Sequence, residues 1–429
     1  MSQDPPTGPL AGLLVADLST VLAGPLCTML LGDLGAEVIK VEPPDGDPTR
    51  SWGPPWVGSD SDGTRTAAYF LAVNRNKRSI RLDLRQEDGR RVLNRLLERA
   101  DVLVENLRPA ARTRLRLDDA SLRTLNERLV HLAVSGFGAD GPEADRPGYD
   151  FAVQAVAGLM SVTGFPDAAG GHPTKVGVAI SDVATGLFGA VGVLAALLAR
   201  RGGPGRAARG DERAGEERAG ERGTGAGQRV DVSILESTLA ILVNQAQNAF
   251  VTGDAPGRLG NAHPNIVPYE TFPTADGEIV VAVGSERQWH RLCEALALGA
   301  LAEDPRFATN GARVEHREAL RALLGDRFAD RSSAAWLRAL EAAEIPAAPI
   351  NDIPAAFASA QAMARQMRVA IEHPRLGVVD QIGLPIGLAG SPASIRSAPP
   401  LLGQDTDDIL EELGFAPSVV RRLREHGVV

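Results

Sequence analysis

The segment with the clearest chemical potential is 179–186, AISDVATG. There one aspartate, Asp182, stands between a short apolar run and a long stretch of small, helix-forming residues. A Ser or Asp ahead of an apolar periodic run is the usual signature of a helix N-cap, and Ser181-Asp182 fits it. The same placement suits a nucleophile. Free N–H groups and the positive end of the helix dipole favour the ionised carboxylate, which is the form that attacks. Burial among apolar neighbours opposes ionisation but sharpens nucleophilicity. A carboxylate that attacks an acyl group becomes part of an anhydride or ester that water destroys, so such a site needs a movable cover. The loop 257–263 (GRLGNAH), polar, small and glycine-bearing, fits a lid; the plainer reading is an interdomain connector.

Other chemistries find less support. The seven histidines form no H-x-x-x-H or other usual metal spacing, so no metal is expected. Cys27 and Cys293 lie in apolar helical stretches, as packed thiols do. There is no G-x-S-x-G elbow and no P-loop lysine motif. Residues 136–141 (GFGADG) match G-x-G-x-x-G and raise the alternative of an NAD(P)-binding oxidoreductase. That fingerprint must open directly into a helix, however, and here Pro142 and Pro147 follow, which predicts a turn-rich loop.

The elements that must position Asp182 alternate. Strands are expected at 12–18, 36–42, 79–84, 101–105, 129–134 and 228–233, with helices at 24–34, 86–99, 149–161, 182–200 and 234–251. The first strand, helix and second strand form a βαβ unit, hence a parallel sheet with ligands at the carboxyl ends of its strands. The Gly/Arg/Glu/Ala-rich stretch 201–227 lacks the apolar residues to bury itself and reads as a disordered insertion. The resulting plan is an α/β large domain at 9–200, a strand and helix at 228–251 and a small α+β domain at 252–345. A linker at 346–370 then leads to a C-terminal segment, 371–429, that returns to the large domain. The small domain should hold a hairpin at 269–283 and helices at 286–297, 312–329 and 332–343.

A net charge of -9 argues against general nucleic-acid binding. Two cysteines are too few for a disulfide framework and fit a reducing, cytoplasmic setting. Residues 1–10 carry no basic and apolar leader pattern, and the longest apolar run, 187–199, falls short of the roughly 20 residues that span a bilayer. No membrane partner is expected.

Taken together, DLSTVLAGPLCTMLLGDLGAEVIKVEPPDGDPTRSW, NRNKRSIRLDL, DVLVENLRP, SGFGADGP, RPGYDFAVQAVAGLMSVTG, GVAISDVATGLFGAVGVLAALLAR, GQRVDVSILES, GNAHPNIVPYETFPTADGEIVVAVGSERQW and PPLLGQDT resemble the family III coenzyme A transferases, the group of formyl-CoA transferase and carnitine CoA-transferase. In that family the nucleophile is an aspartate in a segment x-x-D-x-x-T/S-G, onto which Asp182, Thr185 and Gly186 fall. The resemblance implies CoA transfer from an acyl-CoA thioester to an acceptor carboxylic acid, through an aspartyl anhydride and an enzyme thioester. CoA would be a substrate, and no cofactor or metal would be held permanently. It implies CoA contacts at Val21, Ala23, Leu82, Arg85, Asn106 and Arg114, with Tyr149 and Asp150 at the reacting end and Gly260, Asn261 and His263 in the lid. It also implies a Rossmann-like large domain built from both chain ends, and an interlocked homodimer. Succinyl-CoA or another small dicarboxyl-CoA is the donor suggested by the family's breadth. Leu22, Pro43 and the run 260–263 depart from formyl-CoA transferase and speak against formyl or oxalyl transfer. The same fold includes α-methylacyl-CoA racemases, whose two-base chemistry uses a histidine before an aspartate. Here Tyr149 precedes Asp150, and a phenol is a poor base near neutral pH.

Overall fold

A computed structural model describes residues 7–201 and 225–429. Most of the expected insertion, 201–227, therefore lies outside the described residues. The chain divides into two compact units. The larger comprises residues up to Ala157, Gly177–Ile241 and Ala360–Val429, and the smaller comprises Gly158–Val176 and Leu242–Ser359.

In the larger unit β1 (Leu14–Asp17), α1 (Ala23–Asp33) and β2 (Glu37–Glu42) form the expected βαβ unit. They are followed by β3 (Lys77–Arg81), α2 (Glu87–Leu97), β4 (Val102–Glu105), β5 (Val130–Ser135), α3 (Asp150–Val156), α4 (Ile180–Arg201), β6 (Arg229–Ser233) and α5 (Ile234–Ala240). The sheet order is β3-β2-β1-β4-β5-β6 and every pairing is parallel. β1 thus lies between β2 and β4, with Val15 opposite both Val38 and Val102. This is the doubly wound order whose direction reverses between β1 and β4, and the crevice there is where open α/β sheets bind ligands.

Both faces of the sheet are covered, which explains why the central strands β1 and β4 open on unbroken apolar runs, LVA and VLV, instead of alternating. On one face lie Cys27, Leu30 and Leu31 of α1 with Val193, Ala196 and Leu197 of α4. On the other lie Val92, Leu93, Leu96 and Leu97 of α2, joined by Ile409, Leu410 and Leu423 from near the C-terminus. α4 is long and apolar enough to cross a membrane by length and composition alone, and half of that stretch is buried in the unit. Its glycines seat it. A Cβ at Gly186 would stand 2.7 Å from the Ala23 carbonyl oxygen, and one at Gly192 2.7 Å from the Val230 side chain.

The smaller unit has a three-stranded antiparallel sheet of Tyr269–Thr274, Gly277–Ala282 and Ala347–Pro349. Its core gathers Phe272, Trp289, Phe328 and Trp336, with the Trp336 indole donating to the Phe328 carbonyl at 2.7 Å.

Several helices differ from the sequence reading. The helix expected at 149–161 breaks at Gly158, whose φ of 82° is left-handed, and the one at 234–251 breaks before Val243, at φ 41°. The one expected at 312–329 divides at His316. α4 begins at Ile180, because the Val183 N–H already reaches the Ala179 carbonyl at 3.0 Å. Asp182 consequently lies inside the first turn and is not the cap.

Candidate active site

The chain leaves β1 through a short turn that is held from three sides. Asn106, just past β4, accepts from the Thr20 N–H (3.0 Å) and donates to the Thr20 carbonyl (2.8 Å). The buried Lys40 ammonium donates to the Ser19 carbonyl at 2.8 Å. Glu105 anchors the Asn106 side by accepting from the Leu107 N–H (2.7 Å) and Arg112 (2.8 Å). Val21 and Ala23 face a cleft of about 1050 Å³, open mouth included, whose wall also carries Asn106, Arg108, Arg146, Tyr149 and Asp182. Gly136, which opens the loop 136–141, lines the same cleft. Gly136 and Gly148 meet so closely that a Cβ on either would stand under 3 Å from the other's backbone. No helix follows that loop until Asp150, as the prolines required.

Asp182 is buried, and among the described residues no group donates a hydrogen bond to its carboxylate. The cap of α4 comes instead from Asp150, whose Oδ1 accepts from the Ser181 N–H at 2.8 Å while Oδ2 accepts from the buried Gln154 amide at 2.7 Å. Burial, then the nearby Asp150 charge, pushes the Asp182 carboxyl up to about 7. The balance foreseen from the helix dipole is therefore reversed: desolvation outweighs it. The Thr185 hydroxyl donates to the Ser181 carbonyl (2.7 Å) and stiffens this first turn. The result is a carboxylate that, among the described residues, has no hydrogen-bond donor, held in the first turn of α4 and pushed toward its protonated form.

The sequence-derived candidates fall in four separate places. Val21, Ala23, Asn106, Tyr149 and Asp182 line the one cleft, and Asp150 supports it from behind. Leu82 is in the core, and Arg85 is an exposed side chain paired to Asp83 at 2.8 Å. Arg114 lines a second cleft with Arg90, Arg91, Asn94 and Arg116. Gly260, Asn261 and His263 belong to the smaller unit. There the Gly260 N–H reaches the Gly164 carbonyl (2.9 Å), and the His263 ring packs at 5.3 Å from that of Tyr269.

Sequence reasoning missed Tyr69. Its half-buried phenol is held above the usual tyrosine range by burial and then by the charges of Asp182, Asp150 and Asp47, which places it in the same field. Trp52 packs edge-on against its ring at 5.3 Å. Tyr69 sits in TAAYFLAV, where nothing but its neighbour Phe70 marks it.

The sequence model of CoA-transferase family III matches residues 10–209 and 218–406. The chain is a member of CoA-transferase family III. It is 41% identical over 406 residues to a succinate–glutarate CoA-transferase of Agrobacterium fabrum, covering 94% of this chain and 96% of that one. It is 37% identical over 423 residues to a succinyl-CoA:glutarate CoA-transferase of Mus musculus, covering 98% and 90%. The crystal structure of a CaiB/BaiF family protein from Brucella suis superimposes with a TM-score of 0.79 at 40% identity, covering 95% of this chain and 100% of that one. This family III enzyme is therefore a transferase that acts on CoA thioesters. Among its described residues, no group of three or more His, Cys, Asp or Glu is placed to hold a metal ion.

Proposed function

We propose that the enzyme moves CoA from succinyl-CoA, or a similar short dicarboxyl-CoA, to a dicarboxylic acid such as glutarate, with Asp182 as nucleophile. The relatives named for succinate and glutarate support the substrate class. The observation that carries the mechanism is the Asp182 carboxylate, buried in the cleft wall and, among the described residues, without a hydrogen-bond donor. In its ionised form an Asp182 oxygen attacks the thioester carbonyl. The C–S bond breaks, and CoA leaves as the thiolate from a mixed anhydride. The thiolate then attacks the Asp182 carbonyl carbon, releasing the donor acid and leaving an aspartyl thioester. The acceptor carboxylate reverses these two steps, freeing Asp182 and a new acyl-CoA. Charge is conserved throughout, so no external acid or base is consumed.

The CoA molecule would lie with its thiol end along Val21, Ala23, Asn106 and Tyr149. Its phosphates would meet the guanidinium groups around Arg114, which suit phosphate geometry. The working form is a cytoplasmic homodimer. Supporting the dimer, Leu187, Phe188, Val191 and Leu198 form an outward apolar stripe on α4, between 42% and 64% exposed.

Hydroxylamine tests the mechanism. Wild type incubated with succinyl-CoA should yield a hydroxamate at Asp182, located by peptide mass spectrometry, and Asp182→Asn should neither trap nor turn over. Full turnover by Asp182→Asn refutes the assignment.

A further inference from the structure

Val21 has a φ of 73°. That is left-handed backbone, where a β-branched residue is strained and persists only if its surroundings hold it there. Two of the restraining groups never touch the cleft. Lys40 and Asp47 are buried beneath the turn, with their charged ends 2.9 Å apart. Lys40 fixes the Ser19 carbonyl (2.8 Å), while Asp47 Oδ1 faces the Val21 N–H (3.5 Å) and is itself held by the Thr49 N–H (2.9 Å) and hydroxyl (2.7 Å). A buried ion pair pays heavily in desolvation and is often replaceable by apolar residues without loss of stability, so stability alone does not account for one here.

We propose that the Lys40–Asp47 pair is a positioning device for acyl-CoA: it locks Val21 in its left-handed backbone and so fixes the path of Val21, Leu22 and Ala23 along the cleft. The inference rests on that cleft being the acyl-CoA site. Neither residue meets substrate. Each acts through the turn, opposite the Asn106 clamp on Thr20.

Glycine supplies the test, because it adopts left-handed backbone without strain. Lys40→Met with Asp47→Leu removes both charges and leaves neither unpaired. Relative to wild type, this double variant should keep its circular dichroism and raise KM for succinyl-CoA about tenfold or more, with KM for glutarate within about twofold. Adding Val21→Gly should return KM for succinyl-CoA to within about threefold of wild type. An unchanged KM in the double variant, or no recovery with glycine, overturns the proposal. If the double variant does not fold, Asp47→Asn with and without Val21→Gly gives the same comparison. Calorimetric titration with CoA separates the two levels of inference. No CoA binding by wild type refutes the cleft assignment itself. Equal CoA binding by wild type and all variants refutes only the positioning role.

Discussion

Replacing Asp182 with Asn should stabilise the enzyme, and more so at high pH. Burial and Asp150 raise this carboxyl from 3.8 to about 7 in the folded protein. A raised carboxyl pKa means that the native state holds the proton more tightly than the unfolded chain does. Ionising Asp182 therefore costs stability: the penalty is absent below about pH 3.8, grows from there, and is complete above about pH 7. At one pH unit per 1.36 kcal/mol, the full penalty is about 4 kcal/mol at pH 8.5 and about 1.5 kcal/mol at pH 5. Asn is nearly isosteric and carries no charge. Its advantage over wild type in unfolding free energy should thus be about 2–3 kcal/mol larger at pH 8.5 than at pH 5. Urea titrations at the two pH values, followed by circular dichroism, measure this directly. A pH-independent difference between the two proteins, or a variant less stable at pH 8.5, would refute the account of a buried, unpaired carboxylate.

Asp150→Asn keeps an acceptor for the Ser181 N–H but removes the charge beside Asp182. The acidic limb of the kcat/KM–pH profile should move to lower pH, and an unmoved limb would show that the Asp150 charge does not act there. Gly186→Ala sets a methyl group 2.7 Å from the Ala23 carbonyl oxygen. It should cost about 1–3 kcal/mol in denaturant titrations and lower kcat by displacing α4 from α1. Arg114→Ala should raise KM for acyl-CoA about tenfold while leaving KM for the acceptor acid unchanged, as read by steady-state kinetics with each substrate varied in turn.

The sheet was legible because its central strands are short and apolar and its strands are spaced by helices, and the βαβ pattern alone implied parallel pairing. Asp182 was legible as a special residue, but its local role was misread. Local pattern makes Ser181-Asp182 a cap, whereas the cap arrives from Asp150, 31 residues earlier, through a tertiary contact that no local window contains. The helix breaks at Gly158 and before Val243 were missed for a related reason. Apolar periodicity continues across them, and each helix is interrupted by a single left-handed residue. Lys40 was hidden inside a strand pattern, EVIKVE, where a lysine reads as solvent-facing. Its burial depends on Asp47 and the Ser19 carbonyl lying at the same depth. Tyr69 and the arginine cleft around Arg114 likewise depend on distant segments meeting.

The closure of the larger unit also sets a schedule for the nascent chain. Ser79 at the sheet's edge bonds to Asp405, which is synthesised 326 residues later, and the Asp83 N–H bonds to the Val428 carbonyl. At about 5–20 residues per second, the face carrying α2 waits roughly 15–60 seconds for Ile409, Leu410 and Leu423 to cover it. Limited proteolysis of ribosome-stalled chains should find α2 protected only once those residues have emerged; earlier protection would show that the sheet closes without them. A division of labour follows along the chain: the segment that carries the cleft is made early, and the residues that cover the α2 face of its sheet are made much later.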